Sequence, residues 1–110
     1  MTEYQQLEMA LQRLEAALEA AGLWRMTPPE ASAFASQQPF CVDTMTLPQW
    51  LRFVFIPRLG ALVEAQGPMP ARCEVAPALE TYLQQANVPA DERLAILQSV
   101  EEVDRLVTEN

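Results

Sequence analysis

The sequence predicts an all-α protein, a bundle of four or five helices with a proline-bent central helix. Apolar residues recur at spacings of three and four, the period of one helix face. Helix-start residues such as Thr and Pro, and helix-stop residues such as Gly, divide the chain into segments of helical length. No segment shows the strict alternation of apolar and polar residues that predicts a β-strand.

The first helix is expected over residues 3–21. Thr2 followed by Gln5 is a capping-box pattern, in which each side chain bonds the other residue's backbone N–H. Gly22 is the expected stop, since glycine is favoured just after a helix. One apolar face is formed by Tyr4, Leu7, Leu11, Leu14 and Leu18.

A short second helix is expected to follow the sequence Thr27-Pro28-Pro29-Glu30, which combines a cap, prolines and a capping-box acid. It should run to about Ser36 and end before Pro39. The segment from Phe40 to Met45 then reads as a loop that turns its apolar side chains, including Val42, into the core.

The central helix begins at the second capping pattern, Thr46 with Gln49. It contains the run from Trp50 to Arg58, which is apolar apart from Arg52 and Arg58 and must therefore be buried by neighbours. Pro57 has no N–H to donate, so the helix is expected to bend or break there before it resumes to Ala65. The Gly67-Pro68 pair should end it.

Two further helices are expected in the C-terminal third. Pro77 opens one that runs to about Gln85, and Pro89 opens the last, with acids in its first turn. The apolar stripe of the last helix is expected to consist of Leu94, Leu97, Val100, Val103 and Leu106 with Val107. Glu101 and Arg105 are spaced for an ion pair on its outer face.

Composition limits the function. A chain of 110 residues that is 50% hydrophobic can build one domain, 1–110, without metal or disulfide support. Its net charge of −8 argues against direct nucleic-acid binding, because Lys and Arg neutralise phosphates. The only part that is not acidic is residues 41–72, with a net charge of +1. No signal peptide or membrane span is visible, so a cytoplasmic location is expected.

Catalytic equipment is scarce. The chain has no histidine and no lysine, which removes the usual general base, imidazole metal ligands and Schiff-base chemistry. Cys41 and Cys73 are too few and too far apart for a zinc site and read as reduced thiols, although Arg72 could lower the pKa of Cys73. The acids Glu101, Glu102 and Asp104 read as solvated surface. We expect no enzyme activity, no metal and no cofactor.

Four residues stand out as interaction or ligand candidates: Asp43, Trp50, Arg52 and Arg58. Arg52 either pairs with a carboxylate, for which Asp43 is the first choice, or lies along the apolar surface with its head group in water. Arg58 either faces an anionic partner or bonds free carbonyls at a helix end. Trp50 is either a core residue or, if exposed, a binding hot spot.

The segment from Gln38 to Met45, followed by Trp50-Leu51 and Ile56-Pro57-Arg58, resembles the YqcC-like family. The family's features occur in the same order over nearly the whole chain. The resemblance implies a small all-helical bacterial protein without an assigned activity. It also implies an association with a tRNA pseudouridine synthase, although this chain is too short and too helical to be such an enzyme.

Two classes of function follow as expectations. The first is an interaction or accessory protein whose central face contacts a partner protein, for which the resemblance suggests a tRNA pseudouridine synthase. The second is a small-molecule site between helices, lined by Trp24, Phe40 and Phe53, with Arg52 anchoring an anionic ligand. Direct RNA binding is a third and weaker alternative.

Overall fold

The computed structural model describes residues 2–70 and 73–109. The helices are α1 (Glu3–Ala20), α2 (Leu47–Trp50), α3 (Ile56–Ala65), α4 (Ala76–Gln85) and α5 (Ala90–Thr108). Two 3₁₀ turns, Ala31–Ala35 and Pro39–Cys41, lie between α1 and α2. The described residues contain no β-strand, and the all-α prediction is confirmed.

The predicted boundaries of α1 are confirmed. The Thr2 hydroxyl accepts a hydrogen bond from the Gln5 N–H at 3.1 Å, and the Gln5 side chain accepts one from the Thr2 N–H at 3.0 Å. Gly22 has a φ of 74°. This left-handed residue allows the Leu23 N–H to reach back to the Leu18 carbonyl at 2.8 Å and close the helix end.

The second helix is shorter and tighter than predicted. It is a five-residue 3₁₀ turn that begins after Glu30, and no side chain caps it. 3₁₀ geometry is typical of such short pieces.

The central helical segment continues through Pro57 without a break. The capping box at Thr46 and Gln49 starts α2, as predicted. A π turn, Leu51–Phe55, then connects α2 directly to α3. Its wider hydrogen bonding, seen in the Ile56 N–H bonded to the Leu51 carbonyl, accommodates a proline that has no N–H to donate. π turns are a recognised cause of helix kinks.

The end of α3 uses Gln66, rather than the expected glycine, in the left-handed conformation, with a φ of 51°. The Gly67 N–H bonds the Leu62 carbonyl at 3.0 Å, which completes a Schellman motif. The Tyr4 hydroxyl lies 2.6 Å from the Gly67 carbonyl oxygen and 3.1 Å from that of Gln66. The start of α1 is therefore tied to the end of α3.

The core lies where α1 packs against α5 and α3, and where α4 packs against α5. Its buried side chains recur at helical spacings in every element. They are Leu7, Ala10, Leu11, Leu14 and Leu18 of α1, Leu51, Phe55 and Leu59 of the central segment, Val75, Leu79 and Leu83 around α4, and Ile96, Val100, Val103 and Val107 of α5.

Two predicted core positions and one predicted ion pair are corrected. Leu94, placed on the α5 stripe, is 54% exposed, and Ile96 takes the buried position instead. Val42, expected in the core, is 70% exposed. Arg105 pairs with Glu109 at 3.7 Å rather than with Glu101. The described helices include none that is long and apolar enough to cross a membrane.

Candidate functional site

Arg52 packs on aromatic rings and does not pair with a carboxylate. Its guanidinium carbon lies 4.6 Å from the centre of the Trp24 ring and 5.1 Å from that of Phe53. These distances are those of cation–π contacts. With the described residues it forms no ion pair or hydrogen bond. The aromatic faces explain how a partly buried arginine is tolerated without an acid.

Asp43 holds its own loop together instead of meeting Arg52. Its Oδ1 accepts a hydrogen bond from the Ser36 hydroxyl. The same Ser36 hydroxyl accepts the Gln38 N–H at 3.1 Å. The proposed Asp43–Arg52 pair is therefore wrong. Asp43 lies in the loop nine residues before Arg52 and bonds within that loop, because a short polar side chain bonds most readily to groups close to it in sequence.

The loop that contains Asp43 has an unusual backbone. Phe40 and Cys41 have φ values of 57° and 49°, so two successive non-glycine residues adopt the left-handed conformation. This costs about 1–2 kcal/mol per residue. The Thr44 hydroxyl compensates by bonding the Ala33 carbonyl at 2.8 Å, and the Met45 N–H bonds the Cys41 carbonyl at 3.0 Å. Hydrogen bonds on both sides of the turn thus hold it in place.

Trp50 belongs to an aromatic row. The Phe40 ring meets Trp50 edge to face at 5.0 Å, and Trp50 stacks on Phe55 at 5.1 Å. Trp50 is partly buried and Phe55 is buried. The strained turn places the Phe40 ring against this row, so Trp50 connects the loop to the core and does not stand alone on the surface.

Arg58 is exposed in the first turn of α3. It forms no hydrogen bond or ion pair with the described residues, and the expected bond to a helix-end carbonyl is absent because α3 continues past it to Ala65. Arg52 and Arg58 therefore differ. Arg52 is packed on aromatic rings, whereas Arg58 is solvated.

An open apolar cleft of about 380 Å³ lies between this loop and α4. On the loop side it is lined by Phe40, Val42, Met45, Thr46 and Leu47, and on the α4 side by Ala78, Thr81 and Tyr82. The described lining contains no charged side chain. The α4 residues form one helix face beside the buried pair Leu79 and Leu83, as their spacing dictates.

The predicted anionic-ligand pocket is divided by the structure. Trp24, Phe53 and Arg52 do come together, with the guanidinium packed over both rings. Phe40 lies in the separate apolar cleft, beside Trp50. Anion binding by Arg52 stays a prediction, and the apolar cleft is a different site that the sequence did not indicate.

Cys73 and Asp104 form a polar contact that the sequence also did not indicate. Burial, followed by the hydrogen bond and the charge of Asp104, raises the pKa of the Cys73 thiol to about 12. The alternative in which Arg72 lowers the pKa of the Cys73 thiol is therefore wrong, and Arg72 itself lies outside the described residues.

Two acids that the sequence predicts as solvated surface make contacts within the fold. Asp104 accepts the Ala76 N–H at 2.8 Å and so caps α4. Glu102, from the same acidic group, pairs with Arg13 of α1.

A signal for Asp104 was present in the sequence. Residues 73–76 read Cys-Glu-Val-Ala and offer no Ser, Thr, Asp or Asn to cap α4. A helix start without a local cap leaves N–H groups that need another acceptor, either water or a group from elsewhere in the fold. Nothing comparable indicated the cleft, because it depends on how the loop and α4 approach each other.

The fold defines a small all-α bundle protein with an apolar cleft between a loop and a helix. The chain belongs to the YqcC-like family, which confirms the resemblance found in the sequence. The family model DUF446, described as tRNA pseudouridine synthase C, matches residues 6–106.

Relatives of known sequence support this membership. An uncharacterized protein YqcC of Escherichia coli is 36% identical over 110 residues, which cover 100% of this chain and 98% of that protein. An uncharacterized protein of Haemophilus influenzae is 37% identical over 82 residues, 74% of this chain and 77% of that protein. A tRNA pseudouridine synthase C of Pectobacterium carotovorum is 39% identical over 70 residues, 64% of this chain but 19% of that protein.

A solved structure shows the same fold. The solution NMR structure of E. coli YqcC superimposes with a TM-score of 0.82 at 35% identity. The match covers 99% of this chain and 91% of that one. The bundle is therefore a property of the family.

Proposed function

We propose that this protein is a non-catalytic accessory module that binds a tRNA pseudouridine synthase. One observation carries the proposal. In the Pectobacterium relative named tRNA pseudouridine synthase C, the match to this family occupies 19% of a longer chain. When the module and the remainder of the synthase are parts of one chain, the linkage keeps the two at a high effective concentration relative to each other. The separate chain needs a binding surface to achieve the same association.

Charge supports the same partner. An enzyme that acts on tRNA must present basic surface to phosphates. This chain carries a net charge of −8, with its acids concentrated before residue 41 and after residue 72. Opposite charge accelerates association and helps to select the partner, even where it adds little affinity.

The side chains available for catalysis favour an accessory role over an enzymatic one. It has neither histidine nor lysine. Its partly buried thiol, Cys73, has a raised pKa and is therefore a poor nucleophile. The contribution that remains is binding, which would act on the partner's stability, its hold on tRNA or its activity.

The test is direct association of the purified chain with the tRNA pseudouridine synthase of the same organism. Isothermal titration calorimetry should give a saturable complex whose affinity falls as salt is raised, because screening weakens attraction between charged surfaces. Pseudouridine formation in a tRNA transcript, measured with and without the chain, tests the accessory role. Absence of binding at micromolar concentrations in low salt would rule the proposal out.

A gel-shift series with tRNA alone separates direct RNA binding from partner binding. We expect no shift from this acidic chain. A salt-dependent shift in the absence of the enzyme would favour the RNA-binding alternative instead.

A further inference from the structure

We infer that the open groove between α1 and α3 binds an arginine-bearing segment of the tRNA pseudouridine synthase. The identity of the partner rests on the proposed function. The chemistry of the segment rests on the groove itself, and the experiments below test the two separately.

The groove has a volume of about 660 Å³ and lies where the first half of α1 packs beside α3. It is lined from α1 and its cap by Thr2, Tyr4, Gln5, Glu8 and Leu11, and from α3 and its cap by Pro57, Gly60, Ala61, Val63, Glu64 and Gln66. The bonds from the Tyr4 hydroxyl to the Gln66 and Gly67 carbonyls join the two walls at one end. Because both walls are helices held in the bundle, little ordering is required when a partner binds.

Gly60 keeps the groove open. It lies in the interior of α3, where glycine is less favourable than alanine. A Cβ built at Gly60 would meet no atom within 4 Å beyond its own helix, so the packing of this chain does not require a glycine there. A glycine that nothing inside the fold requires suits the close approach of another molecule.

Charge complementarity determines which segment fits. Glu8 lines the α1 wall and Glu64 the α3 wall, and both residues are exposed. Neither carboxylate forms an ion pair or a hydrogen bond with the described residues, and the described lining contains no Lys or Arg. A groove with one uncompensated acid on each wall favours a cationic segment and repels an acidic one.

The lining favours arginine over lysine as the inserted side chain. A guanidinium carries five N–H donors in a fixed plane and bonds carboxylates through two of them at once. The exposed apolar residues Pro57 and Ala61 offer surface on which its aliphatic stem can lie. An enzyme that binds tRNA presents such basic side chains to phosphates, which connects the groove to the proposed partner.

A peptide titration tests the chemistry without the enzyme. ¹⁵N-labelled chain is titrated with the capped peptide Ala-Leu-Arg-Arg-Leu-Ala and with a counterpart in which citrulline replaces both arginines, which keeps the shape and removes the charge. The arginine peptide should shift the amide resonances of Glu8, Gly60 and Ala61, and the citrulline peptide should not. Equal effects of the two peptides, or shifts confined to other residues, would overturn the inference.

A matched pair of charge variants separates the groove from general attraction to an acidic chain. Glu8→Gln combined with Glu64→Gln should weaken binding of the arginine peptide at least about fivefold, since both of its acceptors lose their charge. Glu19→Gln combined with Glu101→Gln removes the same charge from exposed acids outside the groove and should weaken it less than about twofold. Equal losses from the two pairs would show that the groove is not the binding site.

A filling variant tests the same groove with the pseudouridine synthase. Gly60→Leu should weaken binding roughly tenfold or more, the loss typical of an interface hot spot. The variant should fold, because the position is open and leucine is a better helix former than glycine. Ala95→Leu, at an exposed position of α5 outside the groove, is the control and should change the affinity less than about twofold. The Glu8→Gln and Glu64→Gln pair, which leaves the packing unchanged, gives a second measurement with the enzyme.

The outcomes are distinguishable. If the enzyme binds wild type, Gly60→Leu and the groove charge variant equally, the groove inference is wrong and the proposed function stands. If the enzyme does not bind but the arginine peptide occupies the groove, the proposed function is wrong and the basic chemistry of the occupant stands. If sedimentation shows concentration-dependent self-association that Gly60→Leu abolishes, the occupant is a second copy and the inference is overturned.

Discussion

The Sγ of Cys73 donates a hydrogen bond to Oδ1 of Asp104 over 3.1 Å, and this contact fastens the segment before α4 to α5. The second carboxylate oxygen of Asp104 accepts the Ala76 N–H, and the Thr108 hydroxyl lies within hydrogen-bonding distance of both the N–H and the carbonyl of Cys73. α4 therefore begins on a cap provided by α5. The position of the cleft, whose far wall is α4, depends on this junction.

Alkaline pH should destabilise the protein through Cys73. The folded state retains the thiol proton to about pH 12, whereas the unfolded chain releases it near the ordinary pKa of 9.0. Between these values the unfolded state binds fewer protons, so the free energy of unfolding falls as pH rises. Urea denaturation of wild type and Cys73→Ala from pH 8 to pH 10.5 measures this. The variant should lose less stability over that interval, and Cys41→Ser should behave as wild type; parallel curves for Cys73→Ala would contradict the assignment.

Removal of the Asp104 carboxylate should loosen α4. Asp104→Ala leaves the Ala76 N–H and the Cys73 thiol without their acceptor, and loss of a helix cap with a second hydrogen bond costs about 2 kcal/mol. Urea denaturation followed by circular dichroism measures it. Glu101→Ala, an exposed acid three residues earlier on the same helix, is the control and should change stability by less than about 0.5 kcal/mol. Equal effects of the two changes would show that the cap is unimportant.

A pair of double-mutant cycles distinguishes the two possible partners of Arg52. The cycle of Arg52→Met with Trp24→Leu should give a coupling of about 0.5–1 kcal/mol, the strength of a partly exposed cation–π contact. The cycle of Arg52→Met with Asp43→Asn should give a coupling near zero, since Asp43 bonds Ser36. A larger coupling to Asp43 than to Trp24 would reverse the assignment.

Replacement of Gln66 by glycine should stabilise the protein. Gln66 has a φ of 51°, and glycine adopts this conformation without a Cβ clash. Gln66→Gly should raise the free energy of unfolding by up to about 1 kcal/mol, after allowance for the greater entropy of the unfolded chain. Gln98→Gly, in the middle of α5, should lower it by about 1 kcal/mol. A destabilising Gln66→Gly would indicate that the Gln66 side chain contributes more than its backbone strain costs.

Most of the bundle could be predicted because its signals are local. The capping boxes at Thr2 and Thr46 form as the sequence predicts, since each needs residues three apart along the chain. Pro57 predicts a bend or break in the central helix, but a single proline does not predict the π turn that accommodates it. The predicted apolar stripe of α5 is wrong at Leu94, which is exposed. A periodic pattern near a helix end does not show how far the neighbouring helix covers that face.

The candidate site was predicted less well, and for a physical reason. The apolar neighbours of Arg52 in the sequence predict that its charge needs stabilisation. Its partner is the ring of Trp24, which lies in the segment after α1 and is brought near only by packing. Asp43 found a partner within its own loop. Trp50 connects the loop to the core through its contact with Phe40. The position of Phe40 depends on a left-handed turn, which the sequence does not indicate because the turn contains no glycine.

The sequence by itself determined the all-α class, the capped starts of α1 and α2, most positions of the core faces and the family, because these depend on spacing and residue type along the chain. Only the tertiary structure decided the partner of Arg52, the remote capping of α4 by Asp104 and the apolar cleft beside Val42. Those three features join residues that are distant in sequence. They exist only after helix packing has fixed which side chains and backbone groups meet.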